Sequence, residues 1–165
     1  MKTESLQITY SIYDFTELID QDRLLVEAAK ISAKNSYAPY SKLNVGAAVL
    51  LENNQVVCGS NQENAAYPTG ICAERNALFS ANSTYPDQPV VALAIAALTN
   101  GEFLSEPLSP CGSCRQVMSE IEKRYGKAIK VILYGTKRTI VINNGSTQLL
   151  PLSFNSDNLP NIKNK

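Results

Sequence analysis

Ten consecutive residues, Val90 to Thr99 (VVALAIAALT), carry no charge and no turn former. They do not alternate between apolar and polar, so the segment reads as a strand covered on both faces. Such a strand needs a layer above and a layer below it, which restricts the fold to helices packed on a sheet. The flanking sequence supplies those layers. DQDRLLVEAAKISAKN, Asp20 to Asn35, places Leu24, Leu25, Ala28, Ala29 and Ile31 in a helical rhythm, with Asp20 as the cap. Further helices are expected over 72–82 and 112–125, the latter closed by Gly126.

The remaining strands are shorter. Val45–Leu51, a turn at Asn53 and Asn54, and Gln55–Gly59 read as a hairpin. IKVILYG is a second buried strand, and TIVINN opens a last short one. Helices on either side of the central strand imply partly parallel pairing. The expected architecture is therefore α/β, a three-layer α/β/α sandwich around a mixed sheet. We expect a single domain over 1–165 with its core at about 20–154, an N-terminal weak strand or arm over 1–13, and a loose tail over 155–165.

Composition excludes several function classes. Fifteen acidic and fifteen basic residues cancel, so no overall field draws the chain to nucleic acid or anionic lipid. The basic residues gathered between Arg115 and Arg138 read as a solvated helix face and strand ends. No apolar run is long enough to span a bilayer, and MKTESLQITYSIYDF lacks the features of a signal peptide, so a cytoplasmic placement without membrane contact is expected. With 44% apolar residues, the chain builds a core without disulfides.

Histidine is absent. Any transition-metal site must then use thiolates and carboxylates, and any proton carrier must be a carboxylate, thiol, lysine or tyrosine. Four cysteines are present, and three of them lie at expected helix starts. Cys111 and Cys114, spaced C-x-x-C in SPCGSCRQV, suit one metal centre, although a redox pair or two idle thiols have the same spacing. Cys72, in GICAERNA, is the natural third ligand, because two helix N-termini converging on thiolates stabilise their negative charge. Three protein ligands leave one tetrahedral position open, as in catalytic zinc sites. Glu74 lies about 200° around the helix from Cys72, on the wrong face to ligate the same ion but within reach of a water beside it. Read alone, Glu74 is equally an acid favoured by the helix dipole, and Arg75 a surface charge. Beside three thiolates, Arg75 becomes charge compensation. Cys58, in the hairpin, is expected to be a buried apolar thiol.

Taken together, GSNQENAAYPTGICAERNALF and PCGSCRQV resemble the cytidine deaminase family of small zinc hydrolases. The likeness runs from about Asp22 to Phe154. It implies one Zn²⁺ per subunit held by Cys72, Cys111 and Cys114, and deamination of cytidine and deoxycytidine in pyrimidine salvage. It also implies that Glu74 moves protons between the attacking water, N3 of the pyrimidine and the departing ammonia. Ala73 would offer its N–H to the base carbonyl. Asn61 and Glu63, from N-x-E-N, would bind the ribose hydroxyls, and a site pairing those hydroxyls rejects the free base. Tyr67 and Phe154 resemble residues that approach the site from neighbouring subunits, which implies a homotetramer.

One departure is plain. In YAPYSKLNVGAA, Leu43 stands where many family members carry a phenylalanine packed on the pyrimidine, so the wall is apolar without an aromatic face. Two further readings follow: deamination of a modified or antibiotic cytosine nucleoside, and a zinc module without catalysis. Polynucleotide editing is disfavoured by zero net charge.

Overall fold

The structure, a computed structural model, describes residues 1–160. The elements are β1 (Ser11–Tyr13), α1 (Asp20–Ala33), β2 (Leu43–Leu51), β3 (Val56–Ser60), α2 (Ala73–Thr84), β4 (Val90–Thr99), β5 (Glu102–Phe103), α3 (Gly112–Tyr125), β6 (Lys130–Tyr134), β7 (Thr139–Ile142) and α4 (Gly145–Leu149). The strands form one mixed sheet in the order β1-β7-β6-β4-β2-β3, with β5 paired to the end of β4. The apolar run at Val90–Thr99 is the centre of the sheet. It is antiparallel to β2 and parallel to β6, and the crossover between the parallel pair is α3.

Two apolar layers sandwich the sheet. On one face Leu25, Val26 and Ala29 of α1 pack on Ala48, Leu50, Ala92, Ala94, Ala96 and Ile132. On the other, Ala77, Leu78 and Ala81 of α2 and Met118 and Ile121 of α3 pack on Val49, Leu93, Ile95, Val131 and Leu133. Side chains such as Leu93 and Ile132 are fully enclosed, each contributing about 1.5–3 kcal/mol relative to exposure. This is the three-layer arrangement expected from the central strand.

Two glycines let the helices approach this closely. A Cβ on Gly46 would lie 2.1 Å from the Ala29 carbonyl oxygen of α1, and one on Gly59 2.4 Å from the Ala77 nitrogen of α2. The close approach of α2 at Gly59 sets the chain that follows it, residues 60–63, beside the start of α2.

Local details differ from the expectations. The N-cap of α1 is Ile19, without a side-chain cap, and Asp20 is instead the first helical residue, paired with Arg23. The acid still faces the positive helix end. Leu24 and Ile31 are exposed at 71% and 63%, because the face lying on the sheet runs through Leu25, Val26, Ala29 and Ala33. Cys58 is exposed rather than buried. It lies on the edge strand β3 opposite Ala48, where α1 covers the inner strand but leaves this rim open. Part of the expected loose tail is ordered, since Ser156–Asn158 forms a 3-10 turn capped by Asn155, while residues 161–165 lie outside the described residues. The expected N-terminal strand is β1, which extends the sheet beyond β7. Short α4 and β5 carry no periodicity that a sequence reading would detect.

Candidate metal centre and nucleoside cleft

Helices α2 and α3 lie on the same face of the sheet, and each begins with a cysteine in the N-cap position, Cys72 and Cys111. Both caps have extended backbone, and the two thiols point at each other. Cys114, one turn into α3, completes the group. The sulfurs of Cys72 and Cys111 are 3.8 Å apart, those of Cys111 and Cys114 3.4 Å, and all three lie within 4.8 Å of one another. Tetrahedral ligation at a Zn–S length of about 2.3 Å calls for sulfurs about 3.8 Å apart. The donor set fits zinc, and no fourth side chain of the described residues joins the group.

The electrostatics of the thiols follow from their depth. Burial pushes Cys72 above the ordinary thiol range against a bond from Arg75, and burial does the same to Cys114, reinforced by the nearby Glu74 carboxylate. At Cys111 burial acts upward too, but it is outweighed by hydrogen bonds from the Cys114 N–H, the Cys114 and Cys72 thiols and the Ser113 N–H, so this thiol lies below its usual range. The N-terminal amides of α3 thus favour the thiolate. Arg75 reaches the Cys72 sulfur through Nη2 at 3.8 Å. Its Nε is buried without a partner.

Glu74 is 5% exposed, within the first turn of α2 and two residues on from Cys72. Burial raises its pKa, against bonds from its own N–H and from Cys114 and the charge of Arg75. A carboxyl displaced upward from the usual carboxylate range, beside three thiols, is suited to carry a proton in both directions. Ala73, between Cys72 and Glu74, is fully buried.

A cleft of about 510 Å³ opens beside Cys72, walled by Tyr40 and Ser41, residues 61–64, Tyr67, and Gly70 to Cys72. The Asn61 side chain is clipped to β2: its Oδ1 accepts from the Val45 N–H at 2.8 Å and its Nδ2 donates to the Leu43 carbonyl at 2.9 Å. Each group retains a second hydrogen-bonding position. Glu63 Oε2 accepts the N–H groups of Tyr40 and Ser41 at 2.8 and 3.2 Å. The Ser41 hydroxyl first, then these backbone donors and Lys42, hold the Glu63 carboxyl below its usual range, against a smaller effect of burial. The helix bearing Cys72 is tied to this wall by Asn76, whose Nδ2 donates to the Ser60 carbonyl at 3.0 Å.

The sequence reading placed Cys72, Cys111, Cys114, Glu74 and Arg75 in one group, and the structure brings those side chains together; Asn61, Glu63 and Tyr67 line the adjoining cleft. Tyr67 stands at the mouth, 76% exposed, with its ring edge-on to Tyr40 at 5.9 Å. Leu43 and Phe154 lie elsewhere. Leu43 is the first residue of β2, half-buried against the core and not among the residues walling the cleft. Phe154, 59% exposed, is carried on the C-terminal segment, whose Phe154 carbonyl accepts from Gln116. Tyr40, Ser41 and Asn76 were missed. Tyr40 and Ser41 belong to a motif quoted for its resemblance, but only contacts across the fold reveal that their amides hold Glu63.

The sequence matches the family described as the cytidine and deoxycytidylate deaminase zinc-binding region over residues 19–129. It is 38% identical over 141 residues to a cytidine deaminase of Halalkalibacterium halodurans, spanning 86% of this chain and 98% of that protein. It is 44% identical over 102 residues to one from Sporosarcina psychrophila, across 62% of this chain and 70% of the relative. A crystal structure of cytidine deaminase from Burkholderia pseudomallei superposes with a TM-score of 0.66 at 39% identity, covering 79% of this chain and 97% of that one. The Mycobacterium tuberculosis enzyme superposes at 0.63 with 31% identity, over 83% and 98%. With three convergent thiols suited to zinc and a match spanning both cysteine motifs, the chain belongs to the cytidine and deoxycytidylate deaminase zinc-binding family.

Proposed function

We propose that this protein hydrolyses cytidine and deoxycytidine to uridine and deoxyuridine, releasing ammonia. The observation that carries the reading is Glu74: a buried carboxyl two residues on from Cys72, which belongs both to a group of three thiols sharing a single centre and to the wall of a cleft lined by the 61–64 segment. Cys72, Cys111 and Cys114 would hold Zn²⁺, which when bound supplies Lewis-acid activation of water. Glu74 takes the proton of the attacking water and places it on N3 of the pyrimidine as the water oxygen bonds to C4. It then carries a proton to the exocyclic amine, which leaves as ammonia. Arg75 balances the charge of the thiolates. Asn61 and Glu63 bind the ribose hydroxyls from a wall already braced by β2 and by the Tyr40 and Ser41 amides, so little ordering is needed when the sugar arrives. The Ala73 N–H holds the base carbonyl.

Incubation with cytidine tests this directly. Uridine and ammonia are expected in equal amounts, and a strong zinc chelator is expected to abolish turnover. A zinc-loaded protein that leaves cytidine unchanged would point to the non-catalytic module instead. The sequence departure at Leu43 motivates one further reading, a modified cytosine nucleoside as the preferred substrate, although that side chain packs against the core and not in the cleft wall. Comparing kcat/KM for cytidine, deoxycytidine and blasticidin S separates the two, because a preference of orders of magnitude for the last would displace salvage as the role.

The wider setting belongs to the same proposal: pyrimidine salvage in the cytoplasm by a homotetramer. The supports for the tetramer are the family resemblance and the exposure of Tyr67, Leu152 and Phe154 at 76%, 95% and 59%. A sedimenting species four times the 18.0 kDa chain mass is expected, and a stable monomer would refute it.

A further inference from the structure

Cys111 and the two residues after it are exposed, and a Cβ on Gly112 would meet nothing within 4 Å. Pro110, before Cys111, is buried, so the turn that carries the outermost thiol is packed on that side only. Arg115 adds the polar contacts that fix its direction. Its backbone N–H donates to the Cys111 carbonyl at 3.0 Å, and its Nε donates to the Pro110 carbonyl at 2.8 Å. One residue thus holds the two carbonyls that bracket Cys111. The other arm of the guanidinium, Nη1, donates to the Leu149 carbonyl at 2.8 Å. Leu149 ends α4, and α4 is itself anchored at its start, where Glu122 of α3 accepts the Ser146 N–H at 3.2 Å and the Ser146 hydroxyl.

We infer that Arg115 is a positioning residue for the metal centre, bracing the Pro110–Cys111 turn against α4 so that the Cys111 sulfur keeps its distance from the other two thiols. This rests on the assignment of Cys111 as a ligand. The guanidinium acts by geometry: its contacts are to carbonyl oxygens, and it spans two of them through different nitrogens. A lysine ammonium is a compact point charge and cannot reproduce that fork. Groups that orient metal ligands from behind typically change metal affinity 10- to 100-fold when removed.

The test is transfer of zinc from the purified protein to a chromophoric chelator, for the wild type, Arg115→Ala and Arg115→Lys, with far-UV circular dichroism and the KM for cytidine measured alongside. Arg115→Ala is expected to give up zinc about 10- to 100-fold more readily with an unchanged spectrum, and added guanidinium at millimolar concentration is expected to slow the loss. KM is expected to stay within about two-fold, because the cleft walls are carried by other elements, while kcat falls with zinc occupancy. Should the alanine variant not fold, Arg115→Lys is decisive, with zinc loss expected to lie well above the wild type. Wild-type zinc retention in the folded variant overturns the inference, and so does a KM that rises in step with zinc loss, since that marks general loosening. Zinc transfer needs no turnover, so a wild type inactive on cytidine would count against the proposed reaction and leave this measurement standing.

Discussion

Glu74 and Glu63 are carboxylates of the same site with opposite environments. Burial lifts Glu74, whereas hydroxyl and backbone donors depress Glu63. Replacing Glu74 by Gln keeps the shape and removes the proton carrier, so kcat is expected to fall by roughly 100- to 10,000-fold with zinc content unchanged by metal analysis. For Glu63 the linkage runs the other way. A folded-state pKa below the unfolded value means the folded chain binds fewer protons, so the stabilisation is present above the ordinary glutamate range and disappears as pH falls through the depressed value. In urea titrations the wild type should exceed Glu63→Gln at pH about 6, and the gap should close as pH falls below the ordinary glutamate range. A gap that widened on acidification would contradict the role assigned to the Tyr40 and Ser41 amides. Residue identity and spacing pointed to the three cysteines that the structure groups, because cysteines at helix starts have few uses in a chain without histidine, while Glu74 needed the family resemblance. They did not reveal that Leu43 packs into the core, which depends on how β2 enters the sheet.

At the scale of elements, the site depends on how closely α2 lies against β3. A Cβ at position 59 would sit 2.4 Å from the Ala77 nitrogen and 2.8 Å from the Ala73 oxygen, both backbone atoms that cannot swing aside. Gly59→Ala is therefore expected to lower stability by about 1–3 kcal/mol, read from the urea midpoint, and to raise KM by displacing residues 60–63. A neutral result would mean that α2 slides without cost. Periodicity located every helix of ten residues or more, and α3 occupies the same residues as expected. It did not fix the buried face of α1, where Leu24 and Ile31 fit the helical rhythm yet face solvent while Leu25 and Ala29 are buried. An apolar stripe wider than the contact it serves leaves the choice of face to the partner surface, here the notch at Gly46.

For the molecule as a whole, zinc joins two helices distant in sequence, with Cys72 39 residues before Cys111. Binding to the folded chain alone makes the metal a stabiliser by mass action. Stripping zinc is expected to lower the melting temperature, and restoring free zinc to 100 times its Kd should return about 2.7 kcal/mol. A melting temperature indifferent to chelation would mean that the thiols hold no ion. The basic residues between Arg115 and Arg138 each have a partner. Lys123 pairs with Asp157, Lys127 with Glu52, Lys130 with Asp22, and Lys137 and Arg138 with Glu106, while Arg124 and Arg115 are spent on carbonyls. No helix among the described residues is long and apolar enough to cross a membrane.

From composition and order alone came the central strand, the helices that must cover it, and the residue types able to hold a metal and move a proton. These are properties of side-chain chemistry and local period, and they survive without knowledge of any partner. The tertiary structure decided the rest: which face of α1 is buried, that Cys58 lies on an open edge, that Asn61 and Glu63 are braced by amides from residues 40–45, and that Arg115 reaches from α3 to α4. Each of these depends on contacts between segments far apart along the chain, whose geometry is set by sheet order and by close approaches at glycine, and no local pattern encodes it.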